Sequence, residues 1–129
     1  MKMIDVNGQS CSVSVKPSDY PIKGENSRSI FQKEIGEKLQ ERYPHDIILE
    51  EFNIPNSRLY IDFFLPNRKL VIEVDGSQHD KYSGYFHGNK LTSRKFARQI
   101  DNDYIKEQWT QINQFKMIRI RPDKPILDF

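Results

Sequence analysis

Three carboxylates, Asp62, Glu73 and Asp75, fall within fourteen residues of an otherwise strongly apolar stretch, RLYIDFFLPNRKLVIEVD. Acids in such company are either kept apart by basic neighbours on a solvated face or gathered for a purpose. The purpose such residue types serve best is holding a divalent cation. Mg²⁺ takes one or two carboxylates and fills its remaining positions with water and phosphate oxygens. Whether the chain gathers these acids depends on which strands carry them and in what register.

Side chains alternate across a strand. In the run Arg58–Leu65, Leu59, Ile61 and Phe63 share one face by parity, while Tyr60, Asp62 and Phe64 share the other. In Leu70–Asp75, Leu70, Ile72 and Val74 oppose Val71, Glu73 and Asp75. A hairpin around Pro66–Lys69 that pairs Leu65 with Leu70 sets Phe64 against Val71, Asp62 against Glu73 and Tyr60 against Asp75. A one-residue slip would drive the acids among the aliphatic side chains. In the favoured register the Asp62 and Glu73 Cβ atoms are ~5 Å apart, and like charges directly opposite repel. Either a cation between them or separation by Lys and Arg relieves that repulsion.

The elements around this hairpin follow from periodicity and breakers. Residues 1–26 read as an arm or edge hairpin, with an alternating run Ser12–Lys16 before Pro17, Pro21 and Gly24. From Ser27 the pattern is helical, with Ile30, Phe31, Ile35, Leu39 and Tyr43 on the apolar side, Ser27 or Ser29 as N-cap and Pro44 as the stop. Ile47–Phe52 is a first strand ahead of the two already described. Phe96, Ile100, Tyr104 and Ile105, with Gln108 or Trp109 and Ile112, give a second amphipathic helix, and Met117–Ile120 a last strand. Helix, three strands, helix, strand predicts an α/β sandwich: a mixed sheet of about four strands flanked by two main helices.

Composition narrows the class. The chain has 129 residues, enough for one domain. Its 20 Lys and Arg against 18 Asp and Glu give a formal charge of +2, which excludes a histone-like basic protein and an acidic tail. No apolar run approaches the ~20 residues of a membrane span, so no membrane partner is expected. The N-terminal MKMIDVNGQSCS lacks the apolar stretch of a secretory signal. The single Cys11 excludes an internal disulfide framework and a Cys-based zinc cluster, and a reducing cytoplasm is the expected compartment.

Asp62, ten intervening residues and then Glu73-Val74-Asp75-Gly76-Ser77-Gln78-His79 together resemble the core of the restriction-endonuclease-like PD-(D/E)XK nucleases. The stretch RLYIDFFLPNRKLVIEVDGSQHD is similar to the branch that holds the Vsr-type endonucleases, the EDxHD homing endonucleases of phages and the DUF559 proteins. The resemblance covers roughly residues 27–121 and implies a restriction-endonuclease-like core over 27–129. It implies a metal-dependent DNA endonuclease that hydrolyses phosphodiester bonds, nicking or structure-selective, in a bacterial or phage-infected cell. By the same resemblance Asp62, Glu73 and Asp75 are metal ligands for Mg²⁺, with Mn²⁺ as substitute. Asp75 stands where the wider superfamily has Lys, so the usual water-steadying Lys is absent. That departure keeps open a catalytically degenerate DNA-binding module acting with a partner protein.

His79 matches a later family His and is either a general acid or base near neutrality or a surface residue. Glu34, beside the apolar stripe of the first helix, either completes the acidic set or is a solvated charge. Asp103 and Lys106 resemble a late Asp-x-x-Arg/Lys pair in which Asp103 is the final acid, and an i, i+3 surface ion pair explains them equally.

Lys81, Lys90, Arg94, Lys95 and Arg98 fall in a segment, 81–100, that contains no acid and is interleaved with Tyr82, Tyr85, Phe86 and Phe96. Five like charges in one segment favour a phosphate partner, and Arg119 adds another cation near the last strand. A core of this size leaves little room for a separate sequence-reading module. A homodimer, a larger nucleic-acid-processing partner or a structured DNA is therefore expected.

Overall fold

A computed structural model describes residues 1–75 and 90–121, with the side chains of all of these but 90–100. The elements are β1 (Lys2–Ile4), β2 (Ser10–Ser12), α1 (Ile30–Arg42), β3 (Leu49–Asn53), β4 (Tyr60–Leu65), β5 (Leu70–Val74), α2 (Lys90–Ile112) and β6 (Lys116–Ile120). Strands β3 to β6 form one mixed sheet in the order β3-β4-β5-β6, with β3, β4 and β5 antiparallel and β6 parallel to β5. The protein is thus α/β, a four-stranded mixed sheet with two main helices.

Each helix covers one face of the sheet. On one side Ile35 and Leu39 of α1, with Tyr43 just past its end, pack on Phe63, Leu65, Ile72 and Ile120. Phe31, Ile35, Leu39 and Tyr43 are one i, i+4 stripe, and Ile30, one position off it, is exposed rather than packed. Ser29 is the N-cap, accepting the Gln32 N–H at 3.0 Å. On the other side Trp109 of α2 packs with Phe52, Ile61, Phe64 and Val71. Here α2 starts at Lys90, earlier than the apolar spacing from Phe96 implied. Tyr104 and Ile112 are exposed beside a cavity of about 550 Å³ that Trp109 and Val6 also line.

The N-terminal segment is a separate two-stranded hairpin. Its second strand is Ser10–Ser12, upstream of the alternating run at Ser12–Lys16. It docks through buried Met3 and through Ile4, whose carbonyl accepts from Trp109 Nε1 at 2.9 Å and Asn113 Nδ2 at 3.0 Å. Among the described residues no helix is long and apolar enough to cross a membrane.

The hairpin register is the one the alternation predicts, with Leu65 opposite Leu70 and Phe64 opposite Val71. The ladder stops at Phe63 opposite Ile72, so Asp62 and Glu73 are not a paired step. Parity also breaks one residue earlier. Ile61 packs with Phe64, not with Phe63 as simple alternation requires. The cause lies on β3, where Glu51 takes a left-handed φ of 53°, and the Glu51–Asp62 step drops out of that ladder too. Asp62 therefore sits where both of its neighbouring ladders are interrupted.

The α1 face approaches β4 closely at Gly36, where an added Cβ would lie 3.3 Å from Phe63 Cζ. A branched side chain there has to push α1 off the sheet. Gly36→Val should therefore lower stability by about 1–3 kcal/mol, the usual cost of overpacking. Lys38→Val, on the exposed side of the same helix, should cost far less; urea denaturation of the two variants makes the comparison.

Candidate active site

The interrupted ladder leaves Asp62 with a carboxylate where a backbone partner would be, and the side chain takes over that role. Asp62 Oδ2 accepts the Val74 N–H at 2.7 Å, bridging β4 to β5 just past the last regular pair. This bond brings Asp62 beside Glu73, which precedes Val74. Both carboxylates are buried, with side chains 6% and 5% exposed.

Two cations meet the pair from opposite ends of the chain. Arg28, in the turn before α1, places Nη1 3.3 Å from Asp62 Oδ1. Lys106, on α2 and only 14% exposed, places Nζ 3.0 Å from Glu73 Oε1. Oε1 thus has the ammonium of an ion pair beside it and no other polar partner. Burial, then the charge of Asp62 and a hydrogen bond with it, push the Glu73 carboxyl up to about 8, against the pull of Lys106. Two acids this close in a dry setting share a proton more readily than they both ionise.

A hard divalent cation fits this donor set. It would replace the shared proton, take the oxygen of Glu73 that has no hydrogen bond, and use the carboxylate number Mg²⁺ favours. Among the described residues no group of three or more His, Cys, Asp or Glu side chains is placed to hold a metal. The fit therefore rests on the Asp62–Glu73 pair alone.

The other acids have different company. Asp75 faces two arginines, Arg119 Nη1 at 3.5 Å from Oδ1 and Arg121 Nε at 3.8 Å from Oδ2. Its backbone N–H continues the sheet to Ile120. Arg119 also holds Glu107 at 3.0 Å. Burial disfavours the Arg119 charge, and Asp75, Glu107 and Asp103 more than restore it. Asp103 is thus within charge reach of Arg119, and its i+3 neighbour Lys106 is turned to Glu73. Arg119 is a cation of the site already engaged by acids.

Glu34 is exposed on α1 beside Lys33. The acid that α1 buries is Glu50 of β3, which accepts from Gln32 Nε2 at 2.9 Å, Ser27 Oγ at 2.8 Å and the Lys23 N–H at 2.8 Å. His79, Lys81 and the side chains of Lys90, Arg94, Lys95 and Arg98 lie outside the described residues, as do Tyr85 and Phe86.

Sequence reasoning missed Arg28 as a site residue. No periodicity marks it, because the turn that carries it is placed by Glu50, far along the chain. Lys106 was singled out, but as half of a helical pair rather than as the partner of Glu73.

Among curated proteins the chain is similar to uncharacterized protein 307L of invertebrate iridescent virus 6, 34% identical over 65 residues. The match spans 50% of this chain and 32% of that relative. No family model matches the chain, and no solved structure matches it.

The raised Glu73 carboxyl gives a signed pH dependence. An unfolded Glu titrates near 4.5 and the folded one at about 8. Below 4.5 both states bind the proton and no penalty exists; between the two values the unfolded state gains by releasing it. Stability of the metal-free protein should therefore fall as pH rises from about 4.5 to about 8. Urea midpoints across that range should show the decline, and Glu73→Gln should flatten it. An unaltered slope in the variant would assign the titration to another group.

Proposed function

We propose that this chain is a metal-dependent DNA endonuclease of the PD-(D/E)XK kind, nearest to the Vsr-like and EDxHD branch, hydrolysing phosphodiester bonds. The observation that carries the reading is the buried Asp62–Glu73 pair, set side by side where the sheet is interrupted, with one carboxylate oxygen lacking a hydrogen bond. A fold built only for stability would bury such a pair at a cost with no return.

Bound by this pair, Mg²⁺ or Mn²⁺ supplies Lewis-acid polarisation of a phosphate and a lowered pKa for a water. The protein side of the reaction falls to named groups. Asp62, fixed by the Val74 N–H, holds its remaining oxygen at a set position. Glu73 presents its open oxygen alongside. Lys106 puts an ammonium at the pair, where it can stabilise developing negative charge. That is the kind of positive group the sequence lacks at position 75, delivered from a helix instead of the strand. His79 is the proposed proton-transfer group, and Asp75 with Arg119 and Arg121 flanks the pair. The acid-free cations Lys81, Lys90, Arg94, Lys95 and Arg98 supply the phosphate attraction.

A second reading has its own observation. Arg28 and Lys106 already offset the two acids, and no third metal-binding side chain joins them among the described residues. That arrangement also suits a DNA-binding module on a nuclease-like fold that no longer cleaves and works with a partner protein.

Plasmid nicking separates the two. Wild type should cut in Mg²⁺ or Mn²⁺ and stop in EDTA. Asp62→Ala and Glu73→Ala should each lose more than about 100-fold in rate, the scale at which removing one electrostatic group from such a site registers. Equal nicking by all three proteins would sink the enzyme reading. DNA binding with a steep salt dependence, but with no cleavage and no metal affinity, would select the module.

A further inference from the structure

We infer that Arg28 is an exchangeable counter-ion: it caps Asp62 in the metal-free protein, cedes that carboxylate oxygen when a divalent cation binds, and then contacts a phosphate of the DNA. This rests on the nuclease reading of the Asp62–Glu73 pair.

The two cations of the site are unlike in ways that assign them different parts. Lys106 is embedded, at 14% exposure, so its charge belongs to the site. Arg28 is 55% exposed and reaches Asp62 through one long contact of 3.3 Å, rather than the bidentate fork a guanidinium makes when it is bound to stay. A single half-solvated ion pair of that kind is weak.

The oxygen it covers is also the one a metal needs. Asp62 Oδ2 is held by the Val74 N–H at 2.7 Å, so Oδ1, on the Arg28 side, is the less firmly held oxygen and the one we assign to the metal. A guanidinium at 3.3 Å and a divalent cation on that oxygen repel each other, so the two compete for it.

While the side chain is loosely held, its root is fixed. Ser27 on one side donates to buried Glu50, and Ser29 on the other caps α1 through the Gln32 N–H. Glu50 is locked in turn by the Lys23 N–H and Gln32 Nε2. A pinned backbone bearing a long, displaceable guanidinium beside a metal position suits recognition of a phosphate on that metal, because the planar fork matches phosphate oxygens.

The experiment uses Mn²⁺ alone and then a short DNA duplex, with wild type, Arg28→Ala and Arg28→Lys. Without DNA, Arg28→Ala should bind Mn²⁺ roughly threefold to tenfold tighter than wild type, because a competing charge is gone. With Ca²⁺ present, the same variant should bind the duplex more weakly, its log–log salt slope reduced by about one charge. Arg28→Lys should recover most of the salt slope. Mn²⁺ affinity that is equal or weaker in Arg28→Ala would overturn the exchange, as would an unchanged salt slope. Absence of Mn²⁺ binding in every variant would instead overturn the metal site itself, so the two failures are told apart.

Discussion

Burying Asp62 next to Glu73 is costly, and much of the surrounding described structure compensates for it. Two like charges in a low-dielectric setting repel strongly and each loses its water. The described structure answers with three elements distant in sequence. A strand amide, Val74 N–H, fixes one oxygen of Asp62; the turn before α1 sends Arg28 to the other; α2 sends Lys106 to Glu73. None of these contacts arises from regular sheet or helix pairing. The irregular step at Glu51 and Asp62, where alternation fails, the β3–β4 ladder skips a pair and the β4–β5 ladder ends, lies at the same place.

The molecule contains its own control for what a merely structural buried acid looks like. Asp5 and Glu50 are as buried as the pair. Asp5 accepts from the backbone N–H groups of Asn7 and Gln9 on one oxygen and from Asn56 on the other. Glu50 is closed in the same way by Lys23, Ser27 and Gln32. Both are surrounded by hydrogen-bond donors on both oxygens and tie loops to strands. Glu73 differs, with one buried oxygen whose company is the Lys106 ammonium alone and a carboxyl pushed toward its neutral form. Asp5 and Glu50 are hydrogen-bonded on both oxygens, whereas Glu73 Oε1 has only an ion pair with Lys106. That contrast, more than acid count, is what supports the proposed role of the pair.

How much of this could be read from the chain follows from the range of each interaction. The strand faces and the Leu65–Leu70 register were legible because the alternation of side chains is local and a slip would bury charge. The same rule misplaced Ile61, because the kink at Glu51 is imposed by the neighbouring strand and leaves no local mark. Glu34 was a reasonable choice on helical spacing, yet Gln32 faces Glu50 and Glu34 stays in solvent. Arg28 and Glu50 were not legible at all. Their roles depend on a turn meeting strands that are remote in sequence, and nothing in residue type or spacing announces it.

The charge balance around the site bears on how metal and DNA would act together. In the described part, Asp62, Glu73, Asp75, Asp103 and Glu107 surround Arg28, Lys106, Arg119 and Arg121. These basic groups are matched by acids, so this face has no positive excess with which to draw a phosphate into the centre. On the proposed function, the missing positive charge at the centre is the metal's own. Its binding would free Arg28 and turn a neutral patch into an attractive one. Affinity for metal and affinity for DNA would then be coupled through the same carboxylates, and that coupling has to be reciprocal. The formal charge of +2 is therefore a poor guide to this protein's partners. What counts is that the cations Arg28, Lys106, Arg119 and Arg121 are each held by acids.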